Sequence, residues 1–171
     1  MPLILRKCQE NGRSQNNFYY GKTDDIVTCP DWNPEPKCGN GLHGLLEGNG
    51  NWLLLEGSDW LVIEAKTEDI VEIDKDKCKF RTGKILFRGT TEKLRKSEFS
   101  AKFNNLNSHA AYCWAINIGN IDLMINKVTD SKWAYHWAKY IGNKDVMKTK
   151  ITGYYYINLW NYYFIDDQIT A

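Results

Sequence analysis

The chain has 171 residues, of which 43% are hydrophobic and 25% are charged, and its formal net charge is +1 at pH 7. This composition excludes an intrinsically disordered chain, and the small net charge excludes a strong overall attraction to nucleic acid or to an anionic membrane. No apolar run reaches the roughly 18 residues that a membrane-spanning helix needs, and the start is charged too early for a signal peptide. We therefore expect a cytoplasmic protein that consists of a small domain and an appended module.

Residues 1–97 are predicted to form a β-rich domain. β-Branched and aromatic residues between glycine and Asx breaks predict short strands in this part of the chain. The strands are expected at residues 3–8, 18–20, 52–55, 60–64, 70–73, 77–80 and 84–88, with one helical turn at 67–69. Residues 29–50 are rich in proline and glycine, and proline excludes a helix interior or a central strand. This stretch is therefore predicted to be a loop.

The loop contains side chains that can bind a metal ion. Cys29, Cys38 and His43 offer two thiolates and an imidazole, and Cys78 or Cys8 would complete a tetrahedral zinc site. The loop cysteines are further apart than the cysteine pairs of common zinc modules. Two other interpretations stay open: the cysteines are buried core residues, or Cys38 or Cys29 is a nucleophile with His43 as its base. The odd number of cysteines, five, argues against a disulfide framework.

Residues 75–96 hold a run of basic side chains that follows an acidic stretch. On a strand over residues 77–80, the lysines would share the solvent face while Cys78 and Phe80 point inward. Such a face can bind nucleic acid or an acidic protein, although a solvated outer face explains the same residues. The predicted binding residues are Lys75, Lys77, Lys79, Arg81, Lys84 and Arg88.

The sequence changes character near residue 97, after which the spacing of apolar residues becomes helical. Moved by 23 positions, residues 111–129 match residues 134–152 at 11 of 19 positions. The chain from 98 to 171 is therefore predicted to consist of helical repeats at 108–130 and 131–153 with a degenerate cap at 154–171. Each repeat is a pair of short helices that must be buried against its neighbours and against the first domain. The predicted fold class is α+β.

Each repeat carries its own helix boundaries. Ser108 and Ser131 are predicted to be N-caps. A glycine follows the first helix of each pair as the C′ residue, and an Asn-x-Asp run opens the second helix. Trp114 and Trp137 occupy equivalent positions, and we expect both to be buried.

Residues 1–90 resemble an uncharacterised domain of bacteriophage and bacterial proteins. The resemblance is carried by Cys38-Gly-Asn-Gly-Leu-His-Gly-Leu45, by Trp60-Leu-Val-Ile-Glu64 and by Lys77-x-Lys79-Phe-Arg-x-Gly83. The tyrosine- and tryptophan-rich repeats are similar to arrays in phage and mobile-element proteins. The resemblance implies a phage or mobile-element origin, residence in the host cytoplasm, and a role as an inhibitor that blocks or remodels a host system such as host defence. It implies no reaction.

We expect a non-enzymatic protein that binds a macromolecular partner, either a protein or a ribonucleoprotein. The first alternative is an enzyme with its site at the loop from Cys38 to His43. That enzyme would be of the Cys/His type or similar to ADP-ribosyltransferases, whose nucleotide-binding edge the Gly-Leu-His run resembles. The second alternative is a nucleic-acid-binding module that uses the basic residues of 75–96. Apart from zinc, no cofactor is expected, because no phosphate-binding loop or dinucleotide fingerprint occurs.

Overall fold

The computed structural model describes residues 1–165, and it confirms the predicted α+β class. Within these residues the strands are β1 (Leu3–Cys8), β2 (Ile26–Thr28), β3 (Leu42–Leu46), β4 (Asp59–Glu64), β5 (Ile70–Asp74), β6 (Lys77–Phe80) and β7 (Thr82–Gly89). The helices are α1 (Thr91–Lys96), α2 (Phe99–Lys102), α3 (Ser108–Asn117), α4 (Ile121–Met124), α5 (Ser131–Tyr140), α6 (Lys144–Lys148) and α7 (Tyr154–Phe164). Single turns of 3₁₀-helix lie at Trp52–Leu54, Thr67–Asp69 and Ile125–Lys127. None of the helices in this part of the chain combines the length and the apolar character needed to span a bilayer.

The strands form one antiparallel sheet with the order β2-β7-β4-β1-β3-β6-β5. The central strand, β1, pairs along its whole length with β4. Its register with β3, on the other side, covers only Ile4 and Leu5. The two strands therefore part beyond Leu5, and the opening between them is the place where the candidate site lies.

Both faces of the central strands are buried, because the sheet separates two apolar clusters. On β1, Leu3 and Leu5 belong to one cluster, whereas Ile4 and Cys8 belong to the other. The first cluster continues through Trp60 of β4 into the helices. The second cluster lies under the long segment between β1 and β3. A strand that is covered on both faces has a nearly continuous apolar sequence, as β4 has.

Helices α3 and α5 begin one residue earlier than predicted. Asn107 and Asp130 are the N-caps, and each accepts a hydrogen bond from the backbone N–H three residues later. The prediction that Ser108 and Ser131 are N-caps is therefore wrong. Each serine hydroxyl instead accepts a hydrogen bond from the backbone N–H of a threonine 21 residues later, which fixes the segment that follows the helix pair.

The first helix of each pair ends with a left-handed glycine, as predicted. Gly119 and Gly142 have φ angles of 102° and 114°, and Asn120 and Asn143 follow with φ angles of 57° and 56°. Glycine adopts this region without steric cost, and asparagine is one of the few other residues that visit it. The glycine and the asparagine together turn the chain into the second helix, so the prediction for these positions is confirmed.

Two predicted strands are wrong. Residues 52–55 form a 3₁₀ turn, because Asn51 caps it and the indole N–H of Trp52 donates to the carbonyl oxygen of Gly48 at 3.1 Å. Residues 18–20 make only an isolated bridge, between Arg13 and Tyr19.

Two strands lie where the sequence predicts none. β2 is one of them, and β3 falls inside the stretch predicted to be a loop, residues 29–50. This stretch therefore contributes a strand next to the centre of the sheet, and that strand places His43, one of the predicted metal ligands, beside β1.

Candidate functional site

A cavity of about 330 Å³ opens where β1 and β3 part. Its walls come from parts of the chain that are distant in sequence: Arg6 and Lys7 of β1, residues within 14–20, residues 29–31, residues 39–43, and Leu54 with Glu56. The predicted loop and one of its cysteines therefore face the end of the central strand. We call this space the β1/β3 cavity.

Two basic side chains each bring a buried, unpaired nitrogen to this cavity. Arg6 Nη1 donates to the backbone carbonyl oxygen of His43, and the guanidinium carbon lies 4.8 Å from the centroid of the Tyr20 ring. Arg6 Nε and His43 Nε2 are buried and have no hydrogen-bond partner among the described residues. Buried polar atoms are nearly always paired with protein, water or ligand. The side chains of Arg6 and His43 therefore form the polar end of the cavity, with these two nitrogens below its accessible surface.

His43 lies in a positive environment. Burial lowers the pKa of His43 to about 4, and the charges of Arg6, Lys77 and Lys79 act in the same direction. The imidazole is therefore uncharged at neutral pH, so either ring nitrogen can carry the single proton.

The carboxylates of the cavity lie at its exposed rim. Asp31 and Glu56 line the opening, and both are solvent-exposed. One oxygen of Asp31 accepts a hydrogen bond from the thiol of Cys29 at 3.1 Å. In the described part of the chain, the ion pairs join other residues, and none of them includes Arg6. The guanidinium of Arg6 thus has no counterion among residues 1–165.

The structure brings together only part of the predicted zinc site. Cys29 and His43 line the same cavity, whereas Cys38 is exposed and contacts Lys77, with 2.9 Å between Sγ and Nζ. Cys78 is buried in the second apolar cluster. Within residues 1–165, no group of three or more His, Cys, Asp or Glu side chains is arranged to hold a metal ion. A zinc site made of these residues therefore stays a prediction from the sequence.

The thiols differ in how readily they ionise. A hydrogen bond from Lys77 lowers the pKa of Cys38. Burial raises the pKa of Cys29 and raises that of Cys78 to about 12. Cys29 donates to Asp31, Cys38 accepts from Lys77, and Cys78 donates to a backbone carbonyl oxygen. Within the described residues, none of these three thiols is hydrogen-bonded to His43. The nucleophile and base of the enzyme alternative are therefore not paired here.

The prediction that Lys79 belongs to an exposed basic face is wrong. Its side chain is 1% exposed. The ammonium donates to the carbonyl oxygens of Lys37 at 3.0 Å and Gly39 at 3.4 Å, and it lies 5.6 Å from the centroid of the Trp32 ring. Lys79 therefore attaches the loop that precedes β3 to β6.

Two of the other predicted binding residues are paired with carboxylates. Arg88 is half-buried, and it forms an ion pair with Asp59 at 3.2 Å and donates to two backbone carbonyl oxygens. Lys84 forms an ion pair with Asp24 at 2.9 Å. The exposed or half-buried cations that remain are Lys75, Lys77 and Arg81.

The last described helix, α7, has one packed face and one open face. On the packed face, the rings of Tyr163 and Phe164 lie 5.9 and 6.0 Å from the ring of Tyr135 of α5, centroid to centroid. On the open face, Tyr155 and Tyr162 are 68% and 65% exposed. A shallow cavity of about 320 Å³ lies on this face and is lined by Tyr154, Tyr155, Asn158, Leu159 and Tyr162. The sequence of α7 contains no charged residue.

Two residues of the β1/β3 cavity are not identified by the sequence analysis. Arg6 occupies the inward position between Ile4 and Cys8 in the alternation of β1. Burying a charged residue at an inward position of an apolar strand is costly. A charged residue at such a position in the sequence could therefore have identified Arg6. Tyr20 lies in an irregular segment, and no comparable pattern identifies it.

No family model matches the sequence, and the comparisons with curated proteins and with solved structures give no match either. The resemblance of residues 1–90 to a phage domain therefore stays a prediction. A function has to be proposed from the residues and their geometry.

Proposed function

We propose that this chain is a non-enzymatic binding protein whose helix α7 presents an uncharged aromatic face to a helix of a partner protein. The observation that carries the proposal is the exposure of Tyr155 and Tyr162, with Asn158 and Leu159 between them along the same cavity. Residues at positions i, i+3, i+4 and i+7 share one face of a helix. We call these four residues the aromatic stripe.

The 23-residue period supports this proposal. We infer that α3 with α4, α5 with α6, and α7 are successive copies of one helical repeat. The helices α3, α5 and α7 begin at residues 108, 131 and 154, which are 23 residues apart. In such arrays each copy buries its apolar face against the next copy. The same face can therefore be compared from one helix to the next.

Some equivalents of the aromatic stripe contact the next helix, whereas Ile116 and Lys139, the equivalents of Tyr162, are exposed. In α3 the equivalents that make this contact are His109 and Tyr112, whose rings lie 4.4 and 5.2 Å from the ring of Trp133 of α5. In α5, the residue equivalent to Asn158 is Tyr135, which contacts two aromatic rings of α7. Among the described residues, no further helix follows α7. An additional helix with aromatic or apolar side chains is therefore the occupant that fits the stripe.

The chemistry of the stripe favours a protein partner. Tyrosine supplies a large contact area with little loss of conformational entropy, and exposed aromatic residues supply much of the energy of protein interfaces. The absence of charge from α7 means that shape and apolar contact, not charge attraction, would select the partner. An amphipathic helix that binds such a groove does so through apolar residues at helical spacing. A nucleic acid would need cations, and Lys79 and Arg88 of the predicted basic face are engaged within the protein.

Photo-crosslinking tests the proposal. A photoreactive phenylalanine analogue replaces Tyr155 in the full chain, which is then irradiated in cells of its native host. We expect a cross-link to one other protein, in a peptide whose apolar residues recur at helical spacing. Adding Tyr162→Glu should lower the yield roughly tenfold, as expected when an interface anchor is lost.

Leu53 provides the matched control. It is 86% exposed and lies in the 3₁₀ turn at Trp52–Leu54, outside the helices. The photoreactive residue at position 53 should not capture the same peptide. Equal capture from positions 53 and 155, or capture of a second copy of this chain from position 155, would contradict the proposal. Circular dichroism checks that each variant is folded.

A further inference from the structure

We propose that the β1/β3 cavity binds the oxyanion of a small organic molecule, a carboxylate or a phosphate, through the side chains of Arg6 and His43. This site lies at the sheet and shares no residue with the aromatic stripe. The proposal is therefore independent of the protein-binding function.

Arg6 is held so that part of its guanidinium group stays free for a ligand. Nη1 donates to the backbone of His43, and the Tyr20 ring lies near the guanidinium carbon at 4.8 Å. Nε is buried, whereas Nη2 is accessible and has no partner within residues 1–165. A guanidinium group presents its donors in a planar fork that matches a carboxylate or a phosphate. Arg6 is half-buried and has no counterion within residues 1–165, and a bound anion would supply one.

His43 supplies the second donor. It lies on β3, opposite Lys79 of β6, so its backbone is fixed within the sheet before any ligand binds. Its uncharged imidazole can carry the proton on Nδ1, which is not among the buried nitrogens, and donate it to an oxygen atom. The hydrogen bond to the backbone carbonyl oxygen of His43 holds the guanidinium group of Arg6 in place, so this group loses little conformational entropy on binding.

The charges around the cavity favour an anion over a cation. Arg6 has no carboxylate partner in the described part of the chain, and Lys77 and Lys79 add positive charge near His43. The carboxylates that line the cavity are exposed at its rim, where water screens them. An oxyanion at the polar end would therefore lie close to Arg6 and away from the rim.

The size and the walls of the cavity favour an organic molecule over a bare ion. A volume of about 330 Å³ is at the lower end of the range of small-molecule sites. The walls combine apolar side chains with amide groups, namely Phe18, Tyr20 and Leu42 with Gln15, Asn16 and Asn40. The apolar side chains would bury the organic part of the ligand, and the amides would bind its polar groups.

Titration followed by NMR tests the proposal on the full ¹⁵N-labelled chain. The probes are benzoate and phenyl phosphate, with benzylamine as the cationic control and benzyl alcohol as the neutral control. We expect benzoate or phenyl phosphate to produce a saturable shift of the Arg6 Nε–H and His43 Nε2 resonances, while the two controls leave them in place. The tighter of the two anions identifies the carboxylate or the phosphate as the preferred group.

Variants separate the site from general charge effects. Arg6→Gln should weaken binding by roughly tenfold or more, because a charge-assisted hydrogen bond is lost. Arg81→Gln removes an exposed cation outside the cavity and should leave the affinity unchanged. If Arg6→Gln does not fold, the proposal is tested by the resonance shifts of the wild type and by the affinity of His43→Gln. The proposal is overturned if benzylamine binds as tightly as benzoate, if no probe moves the two resonances, or if Arg81→Gln weakens binding as much as the cavity variants.

Discussion

Separate replacement of Trp114 and Trp137 by phenylalanine compares two buried tryptophans that differ in one hydrogen bond. Both side chains are fully buried. Trp137 Nε1 donates to Asn143 Oδ1 at 3.3 Å. At the equivalent place, Trp114 Nε1 and Asn120 Oδ1 are both buried without a partner in the described part of the chain. The amide nitrogen of Asn120 donates instead to the backbone carbonyl oxygen of Arg95.

The difference between the two substitutions follows from that bond. Both remove the same atoms from a buried site, so the packing losses are similar and largely cancel in the comparison. Trp137→Phe also removes the hydrogen bond to Asn143 Oδ1, whose net contribution is about 0.5–1.5 kcal/mol because Asn143 is exposed and water can replace the donor. Trp114→Phe removes a donor that is already unpaired, so it carries no such cost. Trp137→Phe should therefore lower the free energy of unfolding by about 0.5–1.5 kcal/mol more than Trp114→Phe does.

Urea unfolding measures both free energies, provided that the variants share one m-value. A double-mutant cycle of Trp137→Phe with Asn143→Ala should show a coupling free energy, and the cycle of Trp114→Phe with Asn120→Ala should show almost none. The two asparagines have the same left-handed backbone, so the strain of an alanine at these positions is the same in both cycles. The reasoning fails if Trp114→Phe is as destabilising as Trp137→Phe or if the two couplings are equal.

His43 should titrate in NMR with a pKa of about 4, below its ordinary value of 6.5. The unfolded chain takes up this proton at a higher pH than the folded chain does. The wild type should therefore lose on the order of 1–3 kcal/mol of stability relative to His43→Gln as the pH falls from 6.5 to 4. A pKa of His43 at its ordinary value would contradict this prediction. Cys38 should react with iodoacetamide faster than Cys29, and Lys77→Met should slow the reaction of Cys38. Equal rates for the two thiols would refute the difference in their pKa values. Gly44→Ala should lower the stability in thermal unfolding by about 1–3 kcal/mol, because the added Cβ overlaps a side chain of β1, and an unchanged melting temperature would exclude that close approach.

The local pattern of residue types predicts some of the strands, but it does not predict β3. β-Branched and aromatic content between glycine and Asx breaks predicts β1 and β6 with the bounds that the structure has. β3 has the sequence Leu-His-Gly-Leu-Leu inside a glycine-rich stretch, which indicates a loop. Its glycine, Gly44, is needed because a Cβ at this position would overlap Ile4 of β1. The reason for this glycine is a contact between strands that are far apart in sequence, so a local pattern cannot reveal it.

The candidate site is predictable to the extent that residue type alone identifies it. Cys29 and His43 are conspicuous in the sequence, and they do line one cavity. The cavity itself depends on the point at which the register between β1 and β3 stops, which no local pattern determines. Arg6 becomes a site residue only through that opening. The aromatic stripe differs, because the 23-residue period aligns Asn158 with Tyr112 and Tyr135, which contact the next helix.

The burial of Lys79 explains why the alternating basic residues of β6 wrongly predict an exposed face at this position. It also shows what the positive charge of Lys79 contributes to the structure. Alternation identifies the face of β6 that lies opposite its apolar residues, but it does not tell whether another segment covers that face. In this protein the loop before β3 covers it, and the ammonium of Lys79 donates to two carbonyl oxygens of that loop. The same charge acts on His43, together with that of Arg6. A residue predicted to attract a partner at the surface therefore holds the wall of the β1/β3 cavity in place and makes its interior positive, which are the two conditions that binding an oxyanion requires.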